Sequence, residues 1–372
     1  MSEPTRAAIA QDASASGTGH DASASGTGHA GTAPDSAADP ESSARMPLVL
    51  AGLALALLLC VAASLLIGAE SIAPGRVVDS VLGRGDAQAD ALVLDSRLPR
   101  TVVAIAVGTA LGVAGSLIQA FTRNPLADPG ILGVNGGAAL GVTLALWAGV
   151  STSTSALVLP ALAGALLATV ALLLLASAGK GPATPVRMVL AGVALAAVLG
   201  GFTTAIRLFD VTTFDGYRSW AAGSVAGRSL TDLAGVTGYL VVGLLIALTL
   251  VRPLNAVALG EDTAASLGVD TRRVRLLTIV SVALLAGAAT AIAGPITFLG
   301  LMVPHVCRLL VGNDQRRIIP LSALAAPVVL LASDIVARVA LPLREMPVGV
   351  VTAFVGAPVL IRLISHRKVH TQ

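Results

Sequence analysis

The chain has 372 residues, of which 55% are hydrophobic and 12% are charged, with a formal net charge of +3. The mean hydropathy of +0.85 excludes an ordinary soluble globular protein and indicates that the bilayer is the solvent. No nucleic-acid partner is expected. Cys60 and Cys307 lie in apolar runs, so the chain has neither a disulfide framework nor a cysteine metal site.

The first 45 residues differ in kind, being rich in Ala, Ser, Gly, Asp and Pro, and residues 12–20 recur as residues 21–29. With no apolar face to fold around, residues 1–45 are predicted to be a disordered cytoplasmic tail. We interpret the repeated His20 and His29 as part of a solvated repeat rather than as a metal site. The apolar run at 47–68 begins too far from the start, and is too long, for a signal peptide.

Ten apolar segments follow in chain order, and each is predicted to be a membrane-spanning helix. Their centres lie near Leu57, Thr109, Leu140, Leu167, Val198, Leu244, Leu285, Met302, Val329 and Ala357. The sequence therefore predicts an all-α membrane protein of about ten transmembrane helices over residues 46–366, followed by a cytoplasmic tail at 367–372. Loops on the N-terminal side collect positive charge, such as Lys180, Arg187, Arg272 and Arg273, which predicts that both termini are cytoplasmic.

Three arginines break this charge pattern, since Arg97 and Arg100 precede the second span and Arg338 lies near the outer end of the ninth. Such exceptions need a partner or a pathway. In one interpretation Arg97 and Arg100 reach lipid headgroups and Arg338 pairs with Asp334 one turn earlier. In the other interpretation all three face an external partner.

The sequence contains few residues that could couple transport to an energy source. Asp334 and His305 are the candidate coupling-ion groups of a secondary carrier, and they form no convincing relay. Gly179 and Lys180 lack the remaining residues of a phosphate-binding loop. Nucleotide hydrolysis would therefore take place on another polypeptide, and no enzymatic activity is expected of this chain.

The cytoplasmic loop at 255–275 is longer than two adjoining spans require. Its pattern predicts a short helix with Glu261 and Asp262 in the first turn, a turn at Gly268, and a second helix capped by Asp270 or Thr271. Such a helix-turn-helix can insert into a groove on a soluble subunit.

Several short motifs together resemble one family, the FecCD-type permeases of ABC importers for iron-siderophores, haem and cobalamin. The resemblance covers residues 73–363 and rests on motifs at 97–100, 124–133, 259–275, 294–305, 334–338, 347–349 and 356–358. It implies the type II ABC importer architecture in the plasma or inner membrane, with a second permease copy or a sister permease. It also implies a cytoplasmic ATPase dimer that binds ATP-Mg and an extracytoplasmic substrate-binding protein or lipoprotein.

The resemblance also assigns roles to particular residues. Docking to the binding protein is expected at Arg97, Arg100 and Arg338. Contact with the ATPase is expected at Gly260, Glu261, Ala264, Leu267 and Gly268. The pathway and gate are expected at Pro185, Val186, Met188 and Gly192. No metal or cofactor is expected on this chain.

The leading hypothesis is a permease for iron-siderophore complexes that works by alternating access, with cobalamin and haem as alternative cargoes. An ion-coupled secondary transporter using Asp334 or His305 remains a rival, as does a membrane scaffold that transports nothing. Substrate identity and the choice between homodimer and heterodimer stay open at this point.

Overall fold

A computed structural model of the chain describes residues 40–68, 70, 72–178, 185–341 and 345–367. Fourteen α-helices account for most of these residues. They are α1 Pro40–Leu66, α2 Pro74–Val81, α3 Ala87–Leu92, α4 Leu98–Thr122, α5 Val134–Trp147, α6 Thr154–Ser177, α7 Pro185–Phe209, α8 Val211–Ala221, α9 Leu230–Ala258, α10 Glu261–Ser266, α11 Thr271–Ala293, α12 Leu299–Val311, α13 Gln315–Val339 and α14 Val348–Arg367. A π-helical turn, Val93–Arg97, joins α3 to α4, and a 3-10 turn, Pro129–Leu132, precedes α5.

The predicted spans coincide with helices throughout the described residues. Seven stretches are long and apolar enough to cross a membrane, namely α1, the continuous α3–α4 stretch Ala87–Thr122, α6, α7, α9, α11 and α13. The shorter apolar helices α5, α12 and α14 contain the other three predicted centres. The all-α membrane fold is therefore confirmed. Helix α1 begins at Pro40, ahead of the domain start predicted at residue 46, and residues 1–39, which include the tandem repeat, lie outside the described part.

Helices α4 and α11 form the buried centre of the subunit, whereas α1 and α7 are the least covered of the long helices. Close packing at the centre depends on glycine. A Cβ atom on Gly108 would lie 2.7 Å from the backbone of Pro327 in α13, and one on Gly115 would collide with the carbonyl of Gly300 in α12. Small residues allow membrane helices to approach to this distance, so the glycines of the second span have a packing role.

Three chain breaks meet at the end of the bundle that the charge pattern predicts to be the outer one. The Ser224 amide donates a hydrogen bond to the Ala293 carbonyl at 2.7 Å, and the Gly349 amide donates one to the Gly223 carbonyl at 3.0 Å. Gly223 has a φ of +70°, and a side chain there would press on the Pro295 carbonyl. The polar backbone freed at these breaks is thus satisfied between segments rather than exposed to lipid.

Candidate functional site

A charge cluster, which we call the outer cluster, lies where α4 begins and α13 ends, at the same predicted outer end of the bundle. It consists of Arg97, Arg100, Asp334, Arg338 and Glu345. The Asp334 carboxylate accepts hydrogen bonds from Arg100 Nη2 at 2.8 Å and from Arg338 Nη2 at 2.5 Å. Glu345 Oε2 lies 2.6 Å from Arg100 Nη1. One aspartate thus joins the start of α4 to the end of α13, with Glu345 as a second anion at the edge.

The same cluster holds the end of α1. Arg338 Nη1 donates to the Ser64 carbonyl at 2.7 Å, and Arg97 Nη1 donates to the carbonyls of Leu65 and Leu66 at 2.8 and 2.9 Å. Carbonyl groups in the last turn of a helix have no partner within that helix, and cations stabilise this end. The arginines therefore supply the missing donors for a helix that packs along α13 but leaves most of its surface uncovered.

The predicted pairing of Arg338 with Asp334 is confirmed, whereas the headgroup interpretation of Arg97 and Arg100 is wrong. Arg97, Arg100 and Arg338 are only 4%, 7% and 3% exposed, and their donors point inward. The docking role of these arginines stays a prediction that this geometry does not favour, because a partner's carboxylate would reach them only after the cluster opened. Asp334 is fully engaged by two guanidinium groups, which disfavours it as a coupling-ion site.

Residues 255–275, which we call the coupling segment, fold as the sequence pattern indicated. Gly260 and Gly268 adopt φ values of +122° and +79° at the two ends of α10. The cap of α11 is Asp270, which accepts from the Arg273 amide at 3.0 Å; Thr271 is the first helical residue. Arg275 Nη2 lies 3.4 Å from Glu261 Oε1 and links α10 to α11.

The residues of this segment differ in whether their side chains are exposed to a partner. Leu267 is 62% exposed at the end of α10, and the Glu261 side chain is also partly exposed. Ala264 is completely buried and packs in the apolar core of the subunit. Ala264 is thus badly placed for the contact predicted for it, because the helix turns that side chain into the core of the subunit.

The predicted gate residues occupy opposite faces of α7. Pro185 is the first residue of the helix, and its side chain lies outside the described part. Val186 is exposed, as is Leu190 one turn later. Met188 and Gly192 are buried within the subunit, so neither lines a surface between two subunits in this conformation.

Arg207 and Arg228 are two of the predicted outer arginines that escaped the sequence reasoning, although both break the positive-inside pattern that singled out Arg97. Arg207, in the last turn of α7, lies over the ring of Tyr217 in α8, with 4.1 Å between the guanidinium carbon and the ring centroid. Arg228, before α9, donates to the Thr154 hydroxyl and to the Ser224 carbonyl. Counting every arginine that follows an outward-running span would have found both.

Comparison with known proteins gives these surfaces a context. The sequence pattern of the FecCD transport family matches residues 56–366. The chain belongs to the FecCD transport family. It is 46% identical over 317 residues to the ferric enterobactin transport system permease protein FepD of Escherichia coli K12, covering 85% of this chain and 94% of that protein. It is 37% identical to the vitamin B12 import system permease protein BtuC of Vibrio vulnificus CMCP6, covering 83% and 93%.

A solved structure agrees with this assignment. A chain described as an inward-facing metal-chelate type ABC transporter superposes with a TM-score of 0.76 at 28% identity, covering 86% of this chain and 99% of that one. The FecCD resemblance inferred from the motifs is confirmed, and the relatives compared above are transport permeases.

Proposed function

We propose that this FecCD protein is the permease subunit of an ATP-driven importer that moves ferric siderophore complexes across the cell membrane. The observation that carries the proposal is the 46% identity to the ferric enterobactin permease over nearly the full length of both chains. Cobalamin is the second candidate cargo, because the vitamin B12 permease is also a full-length relative. Both termini are proposed to be cytoplasmic.

The coupling segment is where we propose that ATP hydrolysis on a partner ATPase dimer acts. Helix α10 lies between α9 and α11, and the Arg275–Glu261 ion pair ties it to α11. Helix α11 packs in turn against α4 at the centre of the subunit. A push on α10 would therefore tilt the central helices, which is the movement that alternating access requires.

A second permease copy, or a sister permease, is proposed to cover the exposed face of α7. Small side chains at Ala194, Ala197 and Gly201 share that face and are exposed in the single subunit. Membrane helices associate through such small-residue surfaces. The outer part of this face would then border the pathway between the two subunits. A binding protein that docks outside would meet the outer cluster through Glu345, its exposed member.

Uptake of a radiolabelled ferric siderophore by cells carrying the complete transporter tests the coupling role. In Gly268→Pro the proline cannot adopt the φ of +79° and loses the amide donated to Ala265. Gly312→Pro is a matched control at the end of α12, where φ is +78° and the amide donates to Arg308. Uptake should be lost in the first variant and retained in the second at equal membrane abundance. Equal uptake by both variants would remove the coupling segment from the mechanism.

The energy source is tested separately in the same cells. Import should stop when the partner ATPase carries an inactive nucleotide site, and it should continue when a protonophore collapses the proton gradient. The opposite result would favour the ion-coupled carrier. No uptake of any cargo in either condition, with the protein abundant in the membrane, would favour the scaffold.

A further inference from the structure

The Arg207 side chain is held in a fixed position against Tyr217, near the outer end of α7. Arg207 Nε donates to the Thr203 carbonyl at 3.1 Å, and Nη2 donates to the Thr204 hydroxyl at 3.1 Å. The ring of Tyr217 lies 4.1 Å from the guanidinium carbon. These three contacts fix the plane of the guanidinium group before any ligand arrives, so little side-chain entropy would be lost on binding.

No carboxylate of the described residues lies within ion-pair distance of Arg207. Asp210, three residues later, is occupied as the cap of α8 and accepts from the Thr213 amide at 2.9 Å. Asp215 pairs with Arg218 at 3.5 Å. By contrast, Arg100 has both Asp334 and Glu345 as partners. Within the described part of the chain, Arg207 therefore faces an aromatic ring and two neutral oxygens, and no carboxylate.

This cation lies beside the surface that we assign to the pathway. Arg207 is close to the outer end of α7, where Leu208 and Phe209 are strongly exposed. An arginine that faces only lipid is costly unless it extends to the headgroups. Arg207 instead folds back over α7 and against α8, so its charge stays beside the exposed end of α7 that we assign to the mouth between the proposed subunits.

We propose that Arg207 and Tyr217 form a recognition site for an anionic ferric chelate with aromatic ligand rings, at the outer mouth of the pathway. The inference rests on the proposed function and names its substrate class. Three dianionic catecholates around ferric iron leave a trianionic complex. The guanidinium group would attract that charge, and both planar groups would contact the ligand rings. A second copy of the chain would supply the same pair across the mouth.

A charge series at Arg207 tests this site, with uptake of a trianionic ferric tris-catecholate as the measured rate. Arg207→Lys should stay within a few-fold of wild type. Arg207→Gln should lose about tenfold, the scale of one charge-assisted contact, and Arg207→Glu should lose more. Tyr217→Phe should keep most of the uptake and Tyr217→Leu should lose part of it. The same Gln and Glu changes at Arg84, an exposed arginine in the loop between α2 and α3, should leave the rate unchanged.

The outcomes separate this inference from the proposed function. If wild type takes up no ferric chelate, the proposed function fails and this site fails with it. If wild type imports the complex and Arg207→Glu imports it equally well, the function stands and Arg207 is an interfacial anchor. Equal losses of uptake in Arg207→Lys and Arg207→Glu would mean that Arg207 acts through packing rather than through its charge. Equal losses of uptake in the Arg84 series would mean that any positive charge on this side of the protein has the same effect. Either result overturns the site.

Discussion

Replacing Asp334 with alanine should destabilise the subunit strongly, because one carboxylate serves two buried guanidinium groups. Asp334 is 1% exposed and accepts from Arg100 at 2.8 Å and from Arg338 at 2.5 Å. After the change, Arg100 retains Glu345 and Arg338 retains the Ser64 carbonyl, so each cation is only partly compensated. Removing one partner of a buried ion pair costs about 3–5 kcal/mol, and we expect Asp334→Ala to fall in that range.

Equilibrium unfolding in mixed detergent micelles, followed by circular dichroism, measures this loss. Arg76→Gln removes the exposed Arg76–Asp86 pair and should unfold close to wild type, since exposed pairs contribute little. A triple variant with Arg100→Met, Asp334→Leu and Arg338→Leu should recover much of the lost stability, because it removes together the three buried charges that pair with one another. If Asp334→Ala were as stable as Arg76→Gln, the outer cluster would not hold the helices together.

Two further predictions concern packing and pH. Gly115→Ala should cost about 1–3 kcal/mol, because the added methyl group meets the Gly300 carbonyl; Gly238→Ala, in open space on α9, should be neutral or slightly stabilising in the same unfolding assay. Hydrogen bonds from the Thr213 hydroxyl and amide lower the pKa of Asp210. This cap therefore stabilises α8 above the usual Asp pKa of about 4 and loses that effect as pH falls through the lowered pKa. Amide exchange of α8 should accelerate there in wild type relative to Asp210→Asn, which caps without titrating; identical exchange would argue against the cap.

The sequence alone determined the membrane class, the helices and the family. Apolar runs of the length of a bilayer placed all ten span centres within helices, because hydrophobic length is a property of local sequence. The fold of the coupling segment was equally local, since Gly268 and Asp270 decide a turn and a cap within a few residues. The order of acid before base at Asp334 and Arg338 predicted their pairing for the same reason.

Tertiary structure alone decided which face of each helix is covered. The partner of Arg100 is 234 residues away along the chain, and no local pattern shows that an outer arginine is buried rather than exposed. Met188 lies in the apolar helix α7, so its inward orientation followed only from packing. Ala264 and Ala265 are adjacent alanines in α10, and packing alone decided that Ala264 is the buried one. In a membrane protein lipid and neighbouring helices are equally apolar, and hydrophobicity therefore marks the spans without distinguishing their faces.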